Sequence, residues 1–219
     1  MDDLSTLIPP SPIRMRVMDF NSGHESIHTQ LNWEKQRTLL GPSDISFAIN
    51  APLNYLADED GARYVFFVDP VPCARNLGQR GFQIVAQQRI AAIKFKIWAE
   101  QVIQYVRYAA VGCDWPGRNH SDFLQFLSYS QGRQLLFALS VFDYSNPMHQ
   151  LQLPCQDFRT LYLLFIDNEQ PDIQALSELA ETVEETNPHL ETLVLGTAVM
   201  PNEPARVMFL GETFASLMR

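Results

Sequence analysis

The sequence predicts an α/β fold on three observations. Ile84–Val111 lacks Gly and Pro and is rich in good helix formers, so it reads as one long helix. Thr160–Asp167 reads as a buried strand and Leu190–Val199 as a second strand, on either side of an acidic helix. Tyr64–Val68 is a short, continuous apolar run of the kind buried in parallel sheets. Strands that alternate with helices imply a sheet with helices laid on it.

Fully helical, Ile84–Val111 is about 40 Å long at roughly 1.5 Å per residue. At 100° per residue, Phe95, Trp98, Val102, Tyr105, Val106 and Ala109 share one broad arc. Arg89, Lys96, Glu100 and Arg107 line a stripe opposite, and Ile90, Ile93 and Ile97 interrupt that polar half. Apolar breadth of this kind predicts burial on several sides. With Lys94, the charges in the stretch number five, too many for a membrane span.

At 219 residues the chain can enclose a real core. Its 46% hydrophobic and 19% charged residues are those of an ordinary globular protein. A net charge of −9 and the lack of any basic run argue against nucleic-acid binding. Cys73, Cys113 and Cys155 are far apart and odd in number, which fits neither a disulfide framework nor a zinc spacing. Free thiols suit a reducing compartment, and residues 1–12 lack a signal-peptide layout, so the expected location is cytoplasmic.

In chain order, residues 1–12 read as a flexible leader, with Pro9, Pro10 and Pro12 opposing regular pairing. Residues 13–83 read as a reduced α/β half, 84–111 as the central helix, and 112–219 as a second α/β domain. Ile13–Phe20 is a short strand, and the turn Asn21-Ser22-Gly23-His24 can open a helix through Ser26–Trp33. Ile45–Ile49 and Tyr64–Val68 are strands, with Asp58-Glu59-Asp60-Gly61 a polar turn between them and Asp69–Gly81 a loop after. Asn119 or Ser121 can cap a helix through Phe123–Tyr129. Gln131–Phe142 reads as helix, with Leu135, Leu136, Leu139 and Phe142 on one face. Pro171 opens the acidic helix and Asn187-Pro188 stops it. Met200–Pro204 then turns the chain into a hairpin strand, Ala205–Leu210.

Thr160–Phe214 as a unit resembles the C-terminal domain of the tubulin homologue FtsZ. Leu195-Gly196-Thr197-Ala198-Val199 and Arg206-Val207-Met208-Phe209-Leu210 stand in the family's strand places, and Gly211–Phe214 forms its Gly-x-x-Phe-like end. Ser145-Asn146-Pro147 looks like its small-Asn-Pro turn. Pro116-Gly117-Arg118-Asn119-His120-Ser121-Asp122-Phe123 looks like its synergy loop, with one extra residue before Asp122 and Gln125 at the second acidic position. The resemblance spans roughly residues 90–215 and implies an FtsZ/tubulin-like fold in which the long helix joins the two domains. It implies that Asp122 acts in trans on nucleotide held by the next subunit. A helix N-terminal acid that stabilises the first turn is the equally direct reading.

The departures matter as much. The family's nucleotide loop is Gly-rich so that backbone N–H groups can reach phosphates. This sequence has no Gly-Gly pair, and its best match, Phe20-Asn21-Ser22-Gly23-His24, holds one glycine. Asn21, Ser22 and Gly23 therefore form at most a degenerate loop. The expected protein is a non-catalytic one that contacts itself or an FtsZ-like filament in cell division, with no cofactor. GTP and magnesium enter only under the alternative of a nucleotide-driven polymer. A third reading, a small α/β enzyme, places its acids at Asp69 and Asp167, each ending a buried strand.

Two further clusters are weighed. His24 and His28, beside Glu25, can share a metal if helical, but two ligands make an incomplete site and surface histidines fit as well. Asp58-Glu59-Asp60-Gly61 lacks the spacing and closing Glu of a calcium loop, so no metal site is expected.

Overall fold

The computed structural model describes residues 14–21, 24–29, 43–111, 121–130, 134–142, 157–168, 173–200 and 204–214. The strands are β1 (Arg14–Asp19), β2 (His24–Thr29), β3 (Ile45–Ile49), β4 (Tyr64–Val68), β5 (Gly81–Ala86) and β6 (Gln134–Val141). They continue with β7 (Phe158–Asp167), β8 (Thr192–Val199) and β9 (Arg206–Thr213). The helices are α1 (Ala57–Asp60), α2 (Ala92–Val111), α3 (Ser121–Tyr129) and α4 (Ile173–Thr186).

Among the described residues, nine strands make one sheet in the order β2-β1-β3-β4-β5-β6-β9-β7-β8. β1, β3, β4, β5 and β6 are mutually parallel, as are β7 and β8. β9 runs antiparallel to both β6 and β7, so those two groups point the same way. β2 is the second antiparallel strand and forms one edge.

Strands buried on both faces explain why β4 and β7 are almost wholly apolar. Side chains alternate across the sheet. Tyr162, Leu164 and Ile166 of β7 join a core under α2 and α3, which also takes Met15, Phe47, Phe66 and Ile84 from the other half of the sheet. Leu161, Leu163 and Phe165 pack on the opposite face with Leu179 and Val183 of α4. A third cluster, with Ala48, Val65 and Phe67, lies beneath α1. Asn187 ends α4: its Nδ2 donates to the Val183 carbonyl at 2.7 Å, and its Oδ1 accepts from the Phe158 N–H at 3.4 Å.

Five expectations are corrected. The long helix begins at Ala92, because Ile84–Ala86 belongs to β5, hydrogen-bonded between β4 and β6. The helix is also not enclosed on several sides, since Ile93 and Ile97 lie exposed. Gln134–Val141 is strand, not helix, with Leu135 and Phe137 on one face and Leu136 on the other. His24–Thr29 is strand where a helix was possible. Finally, β9 makes no hairpin with β8 but inserts between β6 and β7. The expected strands Ile45–Ile49, Tyr64–Val68 and Thr160–Asp167 are present, and β7 and β8 are parallel around α4 as a crossover requires. The leader, Pro171 and most of the Met200–Pro204 turn lie outside the described residues.

Candidate functional site

Open α/β sheets bind ligands at the carboxyl ends of their parallel strands. Three residues singled out in the sequence sit at that edge: Asn21 just after β1, Asp69 just after β4, and Asp167 at the end of β7.

Asp69 is the centre of a buried polar cluster. Arg75, on the loop six residues along, donates from Nε to Oδ2 at 2.7 Å and from Nη2 to Oδ1 at 2.8 Å, a two-pronged pair. Both side chains are almost fully buried, at 5% and 3% exposed for Asp69 and Arg75. The remaining Arg75 donors reach the carbonyls of Pro52, at 3.0 Å, and Ala51. The guanidinium also lies 4.6 Å over the Phe67 ring. From inside β5, Gln83 Nε2 donates to Asp69 Oδ2 at 2.9 Å and to the Cys73 carbonyl at 3.1 Å. Gln134 Nε2 on β6 donates to Gln83 Oε1 at 2.9 Å. The loops after β3 and β4 are thereby tied to two further strands.

This cluster is a poor centre for catalysis. Burial pushes the Cys73 thiol up, and the neighbouring Asp69 carboxylate pushes it further, with Arg75 opposing. The nucleophilic thiolate is thus disfavoured. Asp69 has both oxygens occupied by donors from its own chain. The geometry makes a clamp that holds the sheet edge.

Asp69 and Asp167 do not share a crevice. Between β4 and β7 lie β5, β6 and β9, so the lateral separation is four strand spacings, about 19 Å. Register adds to it. Val68 aligns with Ile84, then Leu135, Glu212 and Thr160 across the sheet. Asp69 is one residue past that line and Asp167 seven, an offset of about 20 Å along the strands. Paired catalytic carboxylates lie within about 10 Å of each other.

The loop after β1 is a turn between antiparallel strands, with Asp19 opposite His24. The Asn21 N–H donates to Asp19 Oδ1 at 3.0 Å, while Ser22 and Gly23 lie outside the described residues. A strand follows this turn; no helix N-terminus stands there to meet an anion. His24 and His28 are four residues apart on β2, which sets their Cα atoms about 13 Å apart instead of one helical turn. Among the described residues no group of three or more potential ligands gathers to hold a metal.

Asp122 sits exposed in the first turn of α3, where the helix dipole favours an acid. Phe123 beside it is a core residue, with its ring 5.2 Å from Tyr162 and 6.4 Å from Phe66. Pro116, Gly117, Asn119 and Ser145-Asn146-Pro147 lie outside the described residues.

The acidic turn expected at residues 58–61 holds a second clamp. Ala57–Asp60 is one helical turn ended by Gly61 at φ 84°, a left-handed conformation suited to glycine. Asp58 and Glu59 are exposed, but the Asp60 side chain is fully buried. Its Oδ1 pairs with Arg16 Nη2 at 2.6 Å, and its Oδ2 accepts from Tyr55 Oη at 2.5 Å and Ser46 Oγ at 3.1 Å.

Sequence reasoning reached Asp69 and missed Arg75, Gln83 and Gln134. One signal was available. Gln83 interrupts an otherwise apolar strand, and a buried amide there needs partners.

Fold and site together define an α/β protein with a mixed sheet, in which Asp69 at the carboxyl end of β4 is held by Arg75 and Gln83 of its own chain. More particularly, the fold is that of FtsZ. A point mutant of M. jannaschii FtsZ superposes with a TM-score of 0.53 at 14% identity, covering 79% of this chain and 67% of that one. An empty FtsZ dimer from M. jannaschii gives 0.52 at 13% identity, covering 77% and 63%. The chain thus spans about two thirds of the FtsZ chains that it matches. No protein-family model and no curated protein matches the sequence. No helix among the described residues is long and apolar enough to cross a membrane.

Proposed function

We propose that this protein acts through protein–protein contacts, as an FtsZ-fold component that pairs with itself or with a filament-forming relative and does not turn over nucleotide. The observation that carries the reading is the β1–β2 hairpin. Phosphate loops in parallel α/β proteins run from a strand into a helix, whose N–H groups and dipole hold the anion. Here β1 turns straight back into an antiparallel strand. The clamp on Asp69 supports the same reading, because a carboxylate bonded to Arg75 and Gln83 is not presented to a ligand. One of the matched FtsZ structures is a dimer, and self-pairing is the corresponding proposal for this chain. A cytoplasmic setting and a role in cell division complete the proposal, by analogy with the fold.

The test is calorimetric titration with GTP and magnesium, beside a phosphate-release assay across protein concentrations. The reading expects no binding heat and no turnover. Micromolar binding, or turnover that rises with concentration and vanishes in Asp122→Ala, overturns it in favour of a nucleotide-driven polymer.

A further inference from the structure

Among the described residues β8 pairs with β7 alone, so the sheet ends there with one backbone edge unpaired. Such an edge offers a row of N–H and C=O groups to a further strand. Burial follows the same division: every residue of β7 except Arg159 is buried, whereas on β8 only Ala198 is. Leu195, in the middle of β8, is 38% exposed. Leu193 packs with Leu179 and Val183 on the α4 side of the sheet, and alternation puts Leu195 on that side too.

Exposed edges are ordinarily guarded by charge or proline. Thr192–Val199 contains neither, while β2 at the opposite edge carries Glu25. The charge lies beside β8 instead of on it. Between Arg159 and Arg206 the sequence has nine Asp and Glu and no Lys or Arg, as many acids as the whole chain's net charge of −9. Glu178, Glu181, Glu184 and Glu185 are exposed on α4. Glu191, just before β8, is exposed as well and accepts from Arg159 Nε at 2.8 Å. An uncharged edge with an exposed leucine thus runs alongside a strongly acidic helix.

We infer that β8 accepts an extended segment of a basic protein partner, which joins the sheet as a further strand. An apolar side chain of that segment covers Leu195, and its Lys or Arg residues meet the α4 carboxylates. This rests on the proposal that the protein works through protein contacts, and it names the surface and the chemistry of the partner. Backbone hydrogen bonds along the edge supply affinity for any extended chain. The carboxylates select a cationic one and speed its approach. A second copy is the wrong occupant for this edge, because pairing β8 with β8 brings two acidic stretches together.

The experiment is a fluorescence-anisotropy titration of the full chain into three labelled synthetic peptides. The first alternates valine and threonine between paired lysines at its ends. The second has glutamates in place of the lysines, and the third is the first with its central amides N-methylated. The lysine peptide is expected to bind at least about tenfold more tightly than either control, with its advantage over the glutamate peptide shrinking as salt rises. Leu195→Lys, which places a charge on the edge, weakens binding at least about tenfold. E181K/E184K removes the preference for lysine and leaves the edge intact. Circular dichroism and urea melts confirm that both variants are folded; if Leu195→Lys does not fold, the N-methylated peptide on wild type decides the same point. No binding of the lysine peptide, or binding that N-methylation leaves unchanged, overturns strand addition. Equal affinity for the lysine and glutamate peptides overturns the basic partner. A dimer in sedimentation that Leu195→Lys abolishes gives the edge to a second copy and overturns it too. All three results leave the contact-protein reading standing, and the GTP titration decides that reading separately.

Discussion

Arg75 closes two prongs on Asp69, at 2.7 and 2.8 Å, with both side chains almost completely withdrawn from water. Removing one partner of such a pair leaves a buried charge with no counterpart. Asp69→Asn keeps the shape and deletes the charge, and is expected to destabilise the fold by about 3–5 kcal/mol in urea melts. Replacing both partners by apolar residues, Asp69→Leu with Arg75→Met, should recover much of that loss.

Cys73 gives a prediction with a pH sign. Its folded pKa is raised, chiefly by burial and then by Asp69, so the folded state holds its thiol proton more tightly than the unfolded state. The resulting stability is complete below the unfolded thiol value and is lost as pH rises through the higher folded value. In a Cys113→Ser/Cys155→Ser background, alkylation of native Cys73 should lag that of a free thiol near pH 8.5 and catch up only at more alkaline pH. Alkylation at the rate of a free thiol would contradict the partly buried placement of Cys73.

Phe66 joins three elements, since its ring lies 5.6 Å from Phe47, 5.7 Å from Phe82 and 6.4 Å from Phe123. It is fully buried, and Phe66→Ala should cost about 3–5 kcal/mol. Trp98, only partly buried between Phe95 and Phe137, should cost less when truncated to Ala. Equal losses in denaturant melts would place α2 deeper than the structure does.

Gly211 allows the chain to pass a crowded point. A Cβ there meets Phe158 Cδ1 at 2.6 Å and the Thr160 carbonyl oxygen at 2.6 Å, beside the register shift in β7. The ring can move, but the carbonyl belongs to the sheet. Gly211→Ala should cost about 1–3 kcal/mol, read as a lower urea midpoint with an unchanged slope.

Local runs were legible in the sequence, and long-range placement was not. Tyr64–Val68 and Leu161–Ile166 are apolar runs too short for helices, so length settled them. Ile84–Ala86 and Gln134–Val141 are also buried on both faces, which erases the period-2 signal. Leu135, Leu136, Leu139 and Phe142 satisfy a helical face and a two-sided strand equally well, and only pairing with β5 and β9 decides. The outer side of the long helix was not legible: Ile93 and Ile97 suggested burial on several sides, and the structure leaves them exposed. Strand-end acids were visible at Asp69 and Asp167. Their separation was not, because it depends on which strands lie between them.

The position of β9 has a consequence for how the molecule is made. It follows every other strand in sequence, yet it is the strand that hydrogen-bonds β6 on one side and β7 on the other. During translation the ribosome releases β1–β6 and β7–β8 as two separate fragments with raw inner edges, and neither can be joined until β9 emerges. Nascent chains therefore expose strand edges for the whole time it takes to make residues 142–205, which invites chaperone capture or mispairing between neighbouring polysomes. A ribosome stalled before Arg206 would hold two half-sheets, and quality-control proteases would meet open edges instead of a closed protein.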